Sequence, residues 1–214
     1  MSYLGQIKNG EVKDRYAPSV YGVGVLGTKY PSKVNGTLTK ESELWRGMLQ
    51  RCYSDTFKKH RPTYGGCEVS DNFKSYEYFY EWCQSQVGFG NEGWQPDKDL
   101  LVKGNKVYSE SACVFLPQEV NSLLIKHESS RGKHPIGVTW CKRDKVFVAQ
   151  INKNKGKHER LGNFKTEIEA FNAYKTAKES FVKEQAEKWS SSMSSQIDPR
   201  AYNALMNYTV NIND

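Results

Sequence analysis

Residues 136–189 hold the pattern that most restricts how this chain can fold. Three short segments rich in β-branched and aromatic residues are separated by polar turns, as expected for strands. These segments are 137–140, 145–152 and 158–164. Thr166 with Glu169 three residues later is the signature of a helix-capping box, and apolar residues recur at helical spacing after it. The pattern predicts a three-stranded antiparallel sheet packed on one helix.

This segment resembles the integrase-like DNA-binding domain of plant ethylene-response factors, which is found also beside phage homing nucleases. The matching residues are Gly137-Val138, Val148-Ala149-Gln150-Ile151, Leu161-Gly162-Asn163-Phe164, Glu167, Glu169-Ala170 and Ala173-Tyr174. In that family the sheet enters the major groove of double-stranded DNA, and alternate side chains of one face reach bases and phosphates. The resemblance implies DNA contacts by Thr139, Gln150, Asn152, His158 and Arg160. Gln and Asn can pair with adenine edges, and Arg with guanine.

Basic residues are concentrated in and around this predicted sheet. Residues 126–165 contain eleven Lys or Arg and three acids, and the whole chain carries a net charge of +7. Basic side chains at the tip of the second hairpin and in the turn before the second strand suit contact with phosphates. These predicted DNA contacts are Lys142, Arg143, Lys153, Lys155 and Lys157. The alternative is a charged hairpin tip that protects an exposed sheet edge.

The middle of the chain, residues 96–121, is typical of a strand, a turn, a second strand and the start of a helix. The predicted parts are a strand at 97–102, a turn at 103–106 and a strand at 112–116. Pro117 can open the helix because the first helical position needs no N–H partner. Asp97 and Asn121 would meet if the helix packs on the hairpin, and an oxygen from each suits Mg²⁺.

The order of these elements resembles the strand–strand–helix metal motif of HNH nucleases. The resemblance implies a divalent metal, Mg²⁺ or alternatively Mn²⁺, held by Asp97 in the acidic position and by Asn121 on the helix. Lys98 stands where the family has its general-base histidine, and Cys113 stands where it has its middle asparagine. The implied activity is metal-assisted phosphodiester hydrolysis. Lys98 and Asp99 are the candidates for the catalytic base.

Three functions are compatible with these patterns. The favoured hypothesis is a site-specific DNA endonuclease of the homing type. The missing histidine motivates a second hypothesis, a DNA-binding protein without catalysis such as a repressor or a domesticated nuclease. A third is a phage factor that binds an acidic host protein. The association of such a factor with duplex DNA would lack the usual salt dependence.

Cysteine usage and hydropathy indicate a cytoplasmic protein, or one of the host cytoplasm if a phage encodes it. None of the five cysteines forms a Cys-x-x-Cys pair, so buried reduced thiols are the favoured interpretation. The alternative is a structural zinc held by Cys52, Cys67 and Cys113. No apolar run approaches the ~20 residues of a membrane span, and the first residues lack the apolar region of a signal peptide. The sequence does not indicate an oligomeric state.

The predicted fold class is α+β, with an N-terminal helical region leading into the HNH-like hairpin and helix. Two helices are predicted before the hairpin, at 41–53 with Thr39 or Ser42 as its cap and at 73–86. The predicted organisation is an N-terminal segment 1–40, an HNH-like domain 41–127, a linker 128–135, an integrase-like domain 136–189 and a C-terminal tail 190–214 with a short helix.

Overall fold

The computed structural model describes residues 7–8, 11–12, 14–125, 132–154, 157–191 and 196–214. Within these residues the chain is a mixed α+β protein with seven α-helices and several small sheets. It divides into two compact units. Unit 1 is Met1–Phe89 with Pro96–Phe115, and unit 2 is Gly90–Gln95 with Leu116–Asp214. The boundaries between the two units do not coincide with the predicted linker at 128–135. Residues 128–131 of that linker lie outside the described part.

Unit 1 combines four helices with short strand pairs. Its helices are α1 (Lys40–Tyr53), α2 (Asp55–His60), α3 (Asp71–Lys74) and α4 (Tyr76–Ser85). Its strand pairs are β1 (Ile7–Lys8) with β2 (Glu11–Val12), β3 (Lys33–Val34) with β4 (Thr37–Leu38), and β5 (Glu68–Val69) with the later β7 (Val107–Tyr108). The first two pairs are antiparallel and the third is parallel.

Helix α1 confirms the predicted helix at 41–53 and shows why it forms there. The Thr39 hydroxyl accepts a hydrogen bond from the Ser42 N–H at 3.2 Å, which supplies a partner for one of the free amides at the helix start. Trp45 is completely buried, and its indole N–H donates to the Phe73 carbonyl at 2.8 Å. Burial of Trp45, with this bond, fastens α1 to α3.

The predicted helix at 73–86 is two helices in the structure. The chain becomes extended at Ser75, with φ −83° and ψ 121°, and α4 begins at the next residue. The Ser75 hydroxyl accepts a hydrogen bond from the Tyr78 N–H at 3.3 Å and so caps α4. Phe73, Tyr76 and Phe79 are all buried, so these aromatic residues belong to the core, as favoured from their spacing.

In the middle of the chain two paired strands precede a helix, but the predicted HNH-like hairpin is not confirmed, because β7 lies between the two strands in the chain and pairs with β5. Strand β6 (Trp94–Asp97) pairs with β8 (Val114–Pro117), and α5 (Gln118–Leu124) begins directly after β8. The predicted strand at 97–102 is wrong. One carboxylate oxygen of Asp97 accepts the backbone N–H groups of Asp99 and Leu100 at 2.9 and 2.7 Å, which turns the chain where the strand was expected to start.

Unit 2 contains the predicted three-stranded antiparallel sheet, which is confirmed. Its strands are β9 (Val138–Cys141), β10 (Val146–Asn154) and β11 (Lys157–Phe164), in the order β11-β10-β9. The long helix α6 (Glu167–Ser190) follows, and α7 (Pro199–Met206) is the short helix predicted in the tail. No described helix is long and apolar enough to cross a lipid bilayer.

One face of the sheet forms the core of unit 2 together with α6. Val138, Ala149 and Ile151 point to this face and pack with Phe171 and Tyr174 of the helix. Because side chains alternate along a strand, the neighbouring residues point to the opposite face. Both hydrogen bonds of the predicted capping box at Thr166 and Glu169 are present, so the start of α6 is confirmed.

Candidate nucleic-acid interface

The sheet face opposite α6, here called the outer face, carries a set of polar side chains. Its members are Thr139, Gln150, Asn152, His158, Arg160 and Asn163. Cross-strand pairing brings Gln150 opposite Arg160 and Asn152 opposite His158, while Val148 lies between Thr139 and Asn163. All six are exposed except Gln150, which is half-buried. The structure therefore brings together the five residues that the sequence predicted as DNA contacts of the sheet.

A bulge in β11 puts Arg160 on this face. Ala149 is paired with Gly162, but the next residue, Gln150, is paired with Arg160, so Leu161 has no partner on β10. Leu161 packs against the core of unit 2. In a regular ladder Leu161 would lie opposite Gln150 and Arg160 opposite Ile151, on the core side. The extra residue reverses this parity, as bulges do next to functional sites.

Asn163 braces the Arg160 guanidinium. Arg160 Nε donates to Asn163 Oδ1 at 3.1 Å, and Nη2 donates to the same oxygen. No described residue accepts a hydrogen bond from Arg160 Nη1. A planar guanidinium held on one side keeps donors in a fixed plane, which is the arrangement that reads guanine or a phosphate. Sequence reasoning did not identify Asn163; its place three residues after an arginine in a strand was the available signal.

The turn between β9 and β10 presents the predicted contacts Lys142 and Arg143, both exposed. Arg143 Nε and Nη2 donate to the two carboxylate oxygens of Asp144 at 2.9 and 3.2 Å. This bond to Arg143 lowers the pKa of the Asp144 carboxyl. Lys142 forms no hydrogen bond or ion pair with any part of the chain that the structure describes. Of the two, Lys142 is therefore the side chain better placed to meet a phosphate.

Of the lysines predicted at the second hairpin tip, Lys153 is the one whose side chain the structure describes. Lys153 lies on the helix side of the sheet, because its ammonium forms an ion pair with Glu159 at 2.9 Å and lies 5.8 Å from the centre of the Phe181 ring on α6. It therefore does not belong to the outer face. Lys155 lies outside the described residues, as does the side chain of Lys157.

In unit 1 the candidate base Lys98 is enclosed in a loop of its own. Its side chain is 8 % exposed, and its ammonium lies 2.5 Å from Asp99 Oδ1 and 2.7 Å from the Asn105 carbonyl oxygen. The Tyr108 ring lies beneath it, with the ammonium 5.6 Å from the ring centre. Lys98 and Asp99, both predicted as catalytic, are thus paired with each other. A reacting water would have to displace one of these contacts before it could reach the lysine.

Asn105 organises this loop and was not identified from the sequence. Its amide N–H groups donate to the carbonyls of Lys98 and Val107 at 2.8 and 2.7 Å, and its side-chain oxygen accepts the Val107 N–H at 3.0 Å. All three bonds hold the two ends of the loop together. Its position after Gly104 in a predicted turn was the available signal.

The two predicted metal ligands lie in different units. Asp97 belongs to unit 1, where burial raises the pKa of its carboxyl, and Asn121 belongs to α5 in unit 2. Among the described residues, no three His, Cys, Asp or Glu side chains are grouped so that they could hold a metal ion. Binding of Mg²⁺ or Mn²⁺ by Asp97 and Asn121 stays a prediction.

The cysteines of the predicted zinc alternative are buried. Cys52, Cys67 and Cys113 are free thiols with little exposed surface, and burial raises the pKa of Cys113 to about 12. Their burial fits the favoured interpretation of buried reduced thiols. The alternative of a structural zinc held by these cysteines stays a prediction.

Comparison with known proteins gives no relative for this chain. A scan against protein-family models, a search of curated proteins and a search of solved structures each found no match.

Proposed function

We propose that this protein binds double-stranded DNA through the outer face of the β9–β11 sheet. The observation that carries this proposal is the Arg160–Asn163 pair, set by a bulge among amide and imidazole side chains on one exposed sheet face. A two-stranded or three-stranded sheet fits the width of the major groove, where each base pair presents a distinct pattern of donors and acceptors. Arg160, Gln150 and Asn152 supply donors and acceptors of the type that reads this pattern.

The chemistry of the outer face favours DNA over an acidic protein partner. Amide side chains offer a donor and an acceptor at fixed separation, which matches the edge of adenine. Because they are uncharged, they would not strengthen attraction to an acidic protein by net charge. Lys142 stands in the turn next to this face and supplies the charge for a phosphate. Base contacts and a phosphate contact from one rigid element are the combination that sequence-specific binding needs.

Cleavage of the DNA is the second candidate function. The strand pair β6–β8 with α5 directly after it favours this candidate, because the HNH motif has the same order. Against it stand the contacts of Lys98, whose ammonium is occupied by Asp99 and Asn105. DNA binding without cleavage is therefore the better supported function.

The proposal is tested by selecting a target from a random duplex library and measuring affinity by fluorescence anisotropy. Arg160→Ala should weaken binding to the selected duplex about 10-fold or more and relax the base preference at one position. Lys142→Ala should weaken binding to all duplexes equally and reduce the salt slope by about one. Lys183→Ala removes an exposed charge from α6, away from the outer face, and should change neither quantity.

Two results would contradict DNA binding through this face. One is a library from which no duplex is enriched by the folded protein. The other is equal affinity of the wild-type protein and the Arg160→Ala variant for an enriched duplex. Binding of an acidic protein but not of DNA would identify the third function considered for this chain.

A further inference from the structure

Unit 2 contains a cleft of about 1070 Å³ between α5, the end of β10 and α6. Small-molecule sites in proteins are of about this size and combine apolar walls with a few polar groups. Residues that define its walls are Trp94, Gln118, Asn152, Tyr174, Lys178 and Trp189. The cleft therefore offers aromatic surface, amide groups and one buried cation within a single space.

Lys178 is the unusual member of this set. It is only 8 % exposed, it lies one helical turn after Tyr174, and it lines the cleft. In the part of the chain that the structure describes, no group forms a hydrogen bond or an ion pair with its ammonium. Burial lowers the pKa of Lys178 to about 8. An ammonium withdrawn from water without a partner is costly, and a lysine with such a perturbed pKa that lies in a cleft is a candidate for a functional site.

Neither of the two described acids that line the cleft forms an ion pair with Lys178. Glu119 of α5 accepts from the Lys188 ammonium at 2.7 Å and from the Trp189 indole N–H at 2.8 Å, while Glu92 is exposed. The other lysine of the cleft, Lys153, is neutralised by its ion pair with Glu159. Among the described residues of the cleft, Lys178 therefore carries the uncompensated positive charge in its buried part.

The aromatic wall suits a flat ring. Trp94 and Trp189 meet edge to face, with their ring centres 5.7 Å apart and their planes at 89°. The bond from Trp189 Nε1 to Glu119 fixes the indole and keeps its orientation constant. Aromatic side chains with a fixed orientation bind planar ligands by stacking or by edge contacts.

We propose that this cleft binds a small organic anion, with a phosphoryl or carboxylate group at Lys178 and a flat ring against Trp189. The amides of Gln118 and Asn152 are positioned along the cleft wall to bind polar atoms of the ring. Lys178 and Trp189 belong to α6 and not to the outer face, whereas Asn152 lines the cleft and also belongs to the outer face, so the two proposed sites share this residue.

The test uses two ligand pairs that differ in one charged group, measured by isothermal titration calorimetry on the full chain. Adenosine monophosphate is compared with adenosine for a phosphoryl group, and adenosine-5′-carboxylate with adenosine-5′-carboxamide for a carboxylate. The anion of at least one pair should bind 10-fold or more tightly than its neutral partner. The pair that shows the difference identifies the anionic group.

The matched variants are Lys178→Met and Lys183→Met, both on α6. Methionine keeps the unbranched chain of Lys178 and removes its charge, so the preference for the anion should disappear in Lys178→Met. Lys183 is exposed and does not line the cleft, so Lys183→Met should keep the preference. Arg160→Ala should also keep it, because Arg160 does not line the cleft.

Three outcomes overturn the proposal. Neither anion binds more tightly than its neutral partner, the preference persists in Lys178→Met, or Lys183→Met loses it to the same extent. Circular dichroism and thermal melting of each variant confirm that a lost preference comes from the lost charge and not from unfolding.

Discussion

The ring of Tyr174 occupies the space that a side chain at Gly137 would need. A Cβ added at Gly137 would lie 2.1 Å from Tyr174 Cδ2, and the backbone there has φ +78°. The Gly137 carbonyl accepts the Gln150 N–H at 2.9 Å, so the same residue continues the pairing between the start of β9 and β10. Gly137 thus lets the sheet approach α6 closely enough for Tyr174 to pack on it.

Gly137→Ala should destabilise unit 2 by about 2–5 kcal/mol, since a left-handed backbone costs about 1–2 kcal/mol and overpacking about 1–3 kcal/mol. Urea denaturation followed by tryptophan fluorescence measures this loss. Gly132→Ala is the control, because no atom of the described residues lies within 4 Å of a Cβ at that position. Equal midpoints for the two variants would show that the contact with Tyr174 is not restrictive.

Lys178→Met should change how stability depends on pH. The folded-state pKa of about 8 lies below the ~10.4 of an unfolded lysine, so between these values the unfolded chain binds more protons. Stability of the wild-type protein should therefore rise as pH increases through this window, and below it the buried charge costs roughly 3 kcal/mol.

The variant lacks this cost, so at about pH 7 it should be more stable than the wild-type protein, and the gap should close by about pH 10.5. Thermal melting across this range measures the gap. The other titratable groups of the cleft, Glu92, Glu119, Lys153, His158 and Tyr174, are present in both proteins. A gap that does not vary with pH would contradict the prediction.

Asn105→Ala should loosen the loop that holds Lys98. The substitution removes two donated hydrogen bonds and one accepted bond, at 2.7–3.0 Å. The expected loss of stability is about 2–3 kcal/mol, at roughly 1 kcal/mol for each bond. Val102→Ala, in the same loop and 53 % exposed, should stay within about 0.5 kcal/mol of the wild-type protein. Similar urea midpoints for both variants would show that Asn105 does not organise the loop.

Asp97→Ala separates DNA binding from DNA cleavage. If the protein cuts DNA with Mg²⁺ or Mn²⁺, the substitution should abolish nicking of the selected duplex while its affinity stays within about 2-fold, because Asp97 is not on the outer face. Gel assays of supercoiled plasmid carrying the selected site measure nicking. Nicking by Asp97→Ala at the wild-type rate would exclude Asp97 as a metal ligand in that reaction.

Asn163→Ala should reduce DNA affinity less than Arg160→Ala does. Asn163 acts by holding the guanidinium, so its loss frees Arg160 without removing it, and about a 3-fold to 10-fold loss is expected. The double variant should bind no more weakly than Arg160→Ala alone. Additive losses would instead indicate that Asn163 contacts the DNA independently.

Local sequence signals determined most of the elements. The capping box at Thr166 and Glu169 gave the start of α6, because its two hydrogen bonds join residues only three positions apart. The strands of unit 2 were predictable for the same reason, since alternation and turn composition are local. The single helix predicted at 73–86 failed because Ser75, a weak signal inside an aromatic run, caps a new helix there.

The tertiary structure decided which chemistry each residue has available. The face of Arg160 depends on a bulge in the pairing of β10 with β11, and periodicity along one strand does not reveal where its partner shifts. Lys98 and Lys178 are alike in the sequence as single lysines. One is ion-paired in a loop, whereas the other is buried in a cleft without a partner among the described residues. Burial and pairing are set by residues distant in the chain, so the sequence alone determined the elements but not the environment of their charged side chains.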